Sequence, residues 1–174
     1  MTMNATPPST RWLARCWRFG ERVCDGLERL QPAAQLLARL YVAEVFFRSG
    51  LTKLRDWDIT LALFADEYRV PLLSPTAAAW LGTGGELVLP VLLAFGLGGR
   101  FAALGLFVVN LVAVLSLVEI AAAALQQHLF WGSLLAGLVL WGPGRWSLDR
   151  LLAPIVRGRL GHLDYDARLN ASGR

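Results

Sequence analysis

Residues 36–54 read LLARLYVAEVFFRSGLTKL. Most of this stretch has the composition of a membrane span, yet it carries Arg39, Glu44, Arg48 and Lys53. A charge at the centre of a hydrocarbon layer costs about 2.5–3.5 kcal/mol or more, so such residues are rare and face a partner or a water-filled cavity. Helical spacing sorts the four into two pairs. Glu44 and Arg48 stand four residues apart and can form an ion pair on one face. Arg39 and Lys53 lie on the opposite face, near opposite ends, where long stems can carry their charges to the two interfaces. The pattern predicts Glu44 and Arg48 as the inward pair and Arg39 and Lys53 as outward anchors.

The rest of the chain fits a membrane setting. Of 174 residues, 55% are apolar and 17% charged, and the mean hydropathy is +0.47. That is far more apolar than a soluble domain of this length requires. The net charge of +4 does not indicate nucleic acid, because the basic residues gather at the two ends around an apolar middle. Cys16 and Cys24 form no C-x-x-C pair and no disulfide framework. The polar opening MTMNATPPST and the arginine-rich segment after it do not make a signal peptide, so the spans are expected to direct insertion.

Working outward, residues 1–32 are expected to form a cytoplasmic basic amphipathic helix, capped by Ser9 or Thr10. Trp12, Leu13, Cys16, Trp17, Val23, Cys24, Leu27 and Leu30 follow helical spacing, and five arginines cover much of the remainder. Such a helix suits either the surface of an anionic leaflet or the protein's own cytoplasmic face. Four spans are expected at about 33–54, 76–97, 100–121 and 126–142. Between the first two, residues 59–71 carry Ile59, Leu63, Phe64 and Tyr68 and read as a short amphipathic helix folded on the outer mouth. Gly82 to Gly85, Glu86 and Pro90 mark the second span as closely packed and irregular. Leu97 to Arg100 reads as a tight hairpin, residues 121–127 as a turn, and WGPGRW at 141–146 as a firm stop. The tail, 147–174, is basic. Arginines concentrate in the N-terminal flank and the tail, while the 122–127 loop has none. An all-α, four-span bundle with both termini in the cytoplasm satisfies this distribution.

Counting about 1.5 Å per residue from the outer end of each span puts Glu44, Glu86 and Asn110 near the midplane. Arg48 lies one turn from Glu44, and His128 and Glu119 lie near the outer surface. This predicts an outward-facing polar cavity, with Glu44, Arg48 and Asn110 as ligand-binding residues and Glu86 and His128 as acid–base residues. The same groups can instead be a buried ion-pair lock that fixes helix register, with Asn110 an interhelical hydrogen bond and His128 an interfacial side chain. Glu119 lies half a turn from Asn110 and cannot share its cavity. No E-x-x-H or H-x-x-E spacing supports a metal, and no histidine pair, G-x-G-x-x-G or Walker loop supports haem, dinucleotide or nucleotide. A lipid-soluble quinone is the more plausible redox partner.

The residues just described resemble a known family. LLARLYVAEVFFRSGLTKL, LF-x-x-E-Y-x-VP at Leu63 to Pro71, EL-x-x-P-x-LL-x-x-GL at Glu86 to Leu97, Arg100, and GPG-x-x-SLD at Gly142 to Asp149 are similar to the DoxX family in order and spacing. Glu44, Arg48, Gly50, Lys53, Glu86 and Arg100 match its recurrent positions. Tyr41, Phe46-Phe47, Asp56-Trp57 and His128-x-x-Trp131-Gly132 look most like the branch encoded beside copper-responsive modified-peptide systems. The resemblance implies a four-helix protein of the bacterial inner membrane. Some relatives are small subunits of a thiosulfate:quinone oxidoreductase, others accompany redox-stress systems, and distant ones are membrane chaperones. It transfers no catalytic residue, and fold does not fix function. The resulting expectation is a redox-associated accessory subunit that binds a quinone or small anion. The rival is a non-enzymatic scaffold that recruits soluble enzymes through its N-terminal helix. Self-association is compatible with either.

Overall fold

The computed structural model describes residues 8–117 and 119–156; for residues 8–11 and 14 it describes the backbone. The expected tail is therefore described only to residue 156, with helical backbone over 148–156. Five longer helices precede it: α1 Pro8–Arg55, α2 Trp57–Asp66, α3 Pro75–Phe95, α4 Gly99–Ser116 and α5 Ala122–Trp141. Three of them, α3, α4 and α5, are long and apolar enough to cross a membrane. The protein is an all-α, multi-pass membrane protein.

One 48-residue helix replaces the expected break near residue 32. It starts at Pro8, whose fixed φ and missing donor suit a first helical position, so Ser9 and Thr10 lie inside the first turn. It then runs through Pro32, which removes one backbone donor without ending the helix, because the following residues are packed. Pro32 is buried, whereas Trp12, Leu13 and residues 15–31 are all exposed. At 1.5 Å per residue the helix is about 70 Å long, far beyond the thickness of a hydrocarbon core. Its second half packs with α3, α4 and α5 in a four-helix ring, α1 on α3, α3 on α4, α4 on α5 and α5 back on α1. Val42, Phe46, Leu93, Ala102, Ala103, Leu106, Leu135 and Leu138 fill the centre. Close approach depends on glycine at two places. A Cβ on Gly50 would sit 2.9 Å from Leu87, and one on Gly105 2.7 Å from Leu89, so α3 nestles against both neighbours.

At one end α2 folds across the ring. Asp56 caps it by accepting from the Ile59 amide at 3.0 Å. Phe64 packs on Ala78 and Ala79 of α3, and Trp57 meets Trp80 with ring centroids 4.4 Å apart. A short helix folds here as the sequence predicts, but over 57–66 rather than 59–71. The segment after it holds α4 shorter than expected: Arg69 donates its amide to the Ser116 carbonyl at 2.8 Å, and Tyr68 bridges to Leu117. Leu117 turns extended, so the third span ends at Ser116 rather than 121. The connection moves upstream accordingly to 117–121, and α5 begins at Ala122 rather than 126.

The other end is fastened by the 142–149 loop. Gly96 ends α3 at φ 68 and Gly98 precedes α4 at φ 54, the left-handed conformations that make the hairpin. Both Asp149 carboxylate oxygens accept from the Gly98 and Gly99 amides, at 2.7 and 2.8 Å, and so satisfy the free donors at the α4 N-terminus. Arg39, 1% exposed, donates to the carbonyls of Pro143 and Trp146 at 2.7 Å each.

Candidate functional site

The four charges of 36–54 face the reverse of the sequence expectation. Arg39 is an interior clasp. Lys53 turns inward and pairs with Glu86 at 2.5 Å, their side chains 21% and 7% exposed. Glu44 and Arg48 do form the expected ion pair, at 2.6 Å, but their side chains are 56% and 77% exposed on the outer surface of the bundle. They do not join Glu86. The burial pattern gives the reason: Arg39, Val42, Ala43, Phe46 and Gly50 are buried and share the face of Lys53, and Gly50 is the point where α1 touches the Glu86 backbone.

Glu86 is buried as expected, at the level where α1 ends and α2 crosses. Around it stand groups that the sequence reading left aside. Thr60 of α2 is buried and donates to the Lys53 carbonyl at 2.8 Å or to that of Asp56 at 3.0 Å, which ties the crossing helix to the residue carrying the ammonium. Thr83, one turn before Glu86, is 2% exposed, and its hydroxyl has no hydrogen-bond partner. Tyr68 stacks on Phe64 at 4.8 Å. Burial, then the carboxylates of Glu86 and Glu67, hold its phenol above the usual value.

Asn110 and His128 come together. The Asn110 amide donates to the His128 carbonyl at 3.0 Å, and its side-chain oxygen lies 2.8 Å from His128 Nδ1. The two-point contact fixes the imidazole and leaves Nε2 available. Trp131 packs edge-on against the His128 ring at 5.1 Å. Lys53 is within electrostatic range of His128, so the two polar pairs occupy the same end of the ring. Glu119 is exposed. The spacing signal that would have found the Lys53–Glu86 pair is the run Arg39, Val42, Ala43, Phe46, Gly50, Lys53 at steps of three and four, in which small residues mark the packed face.

The outward position of Glu44 and Arg48, away from Glu86, corrects the expected shared cavity around the three; two cavities lie elsewhere. One, of about 810 Å³, sits at the opposite end among α1, the α3–α4 hairpin and the 142–150 loop, and includes Arg29, Arg100, Arg145 and Arg150. Another, of about 220 Å³, is an external groove between Glu44 and Pro90. Among the described residues no three His, Cys, Asp or Glu side chains gather as metal ligands.

Comparison with known proteins identifies the family. The DoxX family model matches residues 34–119, from the buried half of α1 to just beyond α4. A Haemophilus influenzae protein described as uncharacterized is 32% identical over 129 residues, covering 69% of this chain and 83% of its own. No solved structure matches. The chain belongs to the DoxX family.

Proposed function

We propose that the protein is a redox-associated accessory subunit of the bacterial inner membrane that holds a quinone head group or small anion beside Lys53 and Glu86. In this reading the second half of α1 is the fourth span, and both termini lie in the cytoplasm, on the side favoured by the arginine-rich flanks. The observation that carries the proposal is the Lys53–Glu86 pair. A buried ion pair is costly to desolvate and gives little net stability, so its retention at a bundle mouth favours a chemical role. Lys53 offers a donor to a carbonyl or anion, Glu86 accepts or returns a proton, and Thr83 has a hydroxyl to spare. His128, held by Asn110, exchanges protons at the same end. Glu44 and Arg48 lie outside this site.

The test is quinone extraction from the purified protein, together with quinone-dependent turnover in membranes. Glu86→Gln removes the proton acceptor while keeping shape, and is expected to abolish turnover. Protein free of quinone, with Glu86→Gln behaving as wild type, overturns the proposal.

A second reading has its own support. The exposed first half of α1 suits a platform for soluble enzymes. Deleting residues 1–30 should then abolish recovery of those partners from a folded bundle; their continued copurification removes this reading.

A further inference from the structure

We propose that a second copy of this chain docks along the exposed face of α1, in a parallel dimer whose two-fold axis runs along the membrane normal. Two features of α1 meet on that face. The first is the Glu44–Arg48 pair. Its side chains are exposed, yet Glu44 borders a groove with Pro90, Val91 and Ala94, in the last two turns of the apolar helix α3. Facing out from a membrane-spanning helix, an exposed ion pair borders lipid tails, which are a poor neighbour for charge. A patch carrying both signs is self-complementary. Across a two-fold axis each Arg48 reaches the other copy's Glu44, and both charges leave the lipid.

The second feature is the register. Leu13, Trp17, Gly20, Cys24 and Leu27 follow one another at steps of four and three. Leu30, Ala34, Leu37, Tyr41, Glu44, Arg48 and Leu51 continue the alternation to the end of the helix, after one shortened step next to Pro32. This is the 3.5-residue repeat of a two-stranded seam. Every one of these residues is exposed. The arginines of the first half, among them Arg15, Arg22 and Arg29, lie on the far side of the helix from the seam. A leaflet could cover the apolar stripe of residues 12–31 only if α1 turned sharply at Pro32, and the helix runs unbroken through that position. A second α1, wound left-handed around the first, covers both halves at once. Gly20 and Ala34 allow close approach in the two halves, and Glu44 and Arg48 fix register, as a single polar position does in other two-stranded seams.

Cys24 supplies the test. In full-length Cys16→Ser protein in native membranes, copper–phenanthroline oxidation is expected to give a reducible dimer through Cys24. A cysteine moved to the far side (Arg22→Cys with both native cysteines replaced by serine) should stay monomeric. Native mass spectrometry in lipid nanodiscs should show the dimer mass. Glu44→Arg places like charges together and is expected to weaken dimerisation at least about tenfold, the size of two lost interhelical contacts. The swap Glu44→Arg with Arg48→Glu should restore it. All these sites are exposed, so helical content should be unchanged. A monomer in nanodiscs, a dimer that Cys24 does not cross-link, equal cross-linking from position 22, or a charge swap that fails to rescue a folded protein would each overturn the proposal.

Discussion

Lys53 and Glu86 decide most at the residue scale. Removing one partner strands a charge in the packed ring. Glu86→Leu or Lys53→Met alone is expected to cost about 3 kcal/mol, whereas the double substitution recovers most of that loss. Thermal unfolding of the four proteins in one detergent checks this; additive losses would mean that the two side chains do not act as a pair. Tyr68 gives a pH-dependent companion. The fold holds its phenol above the unfolded value of about 10, so the folded chain keeps a proton that the unfolded chain has lost. That contribution is complete below about pH 10 and disappears as pH rises through the folded value. Alkaline titration at the tyrosinate band should place Tyr68 above the ordinary range, and Tyr68→Phe should remove the corresponding loss of stability. The sequence disclosed these residues unevenly. That 36–54 holds two opposed pairs of charges follows from helical angles. Which pair turns inward does not, because a membrane helix is apolar on both faces and hydrophobicity no longer separates core from surroundings. Ala43 and Gly50 were the informative residues, small side chains on the face of Arg39 and Lys53.

Element boundaries were legible where glycine or proline sets them and lost where tertiary pairing does. The α3–α4 hairpin and the end of α5 at Trp141 follow from LGGR and WGPG. The end of α4 at Ser116 depends on Arg69 and Tyr68, almost fifty residues upstream, and no local signal carries it. The same contrast applies to Pro32, a helix breaker in isolation that packing overrides. The α3–α4 corner makes a sharp prediction. Gly96 is left-handed, and a Cβ there would meet Ser147 Cβ at 2.6 Å, with the Arg39 guanidinium equally close. Gly96→Ala is therefore expected to destabilise by more than the roughly 1 kcal/mol that a left-handed alanine costs alone. Asp149→Asn keeps the shape but removes the charge at the α4 N-terminus, and should cost roughly 0.5–2 kcal/mol. Melting each variant in detergent tests both values.

On the scale of the whole molecule, the family assignment and the all-α membrane class could be read from composition and motif order, since both depend on patterns longer than any one contact. The polar end of the bundle could not be fully assembled that way. Asn110 and His128 lie on different helices, and their meeting depends on how α4 and α5 pack around Gly132, where a Cβ would come 3.2 Å from Asn110 Nδ2. The exposed half of α1 contributes little to the ring. Deleting residues 1–30 should lower the helical circular dichroism signal in proportion to the residues lost and leave the unfolding of the ring unchanged. A collapse of the ring on that deletion would show that the projecting half supports it.

The clasp at Arg39 also bears on the order in which the molecule is made. Its acceptors, Pro143 and Trp146, lie 104 and 107 residues downstream. While the first three long helices leave the ribosome, the guanidinium has none of its native acceptors and must stay hydrated or borrow other ones. The first helix therefore reaches its final seat only after the last has inserted. A nascent chain halted before residue 143 should remain open on that side, a waiting substrate for the insertion machinery rather than a smaller version of the finished bundle.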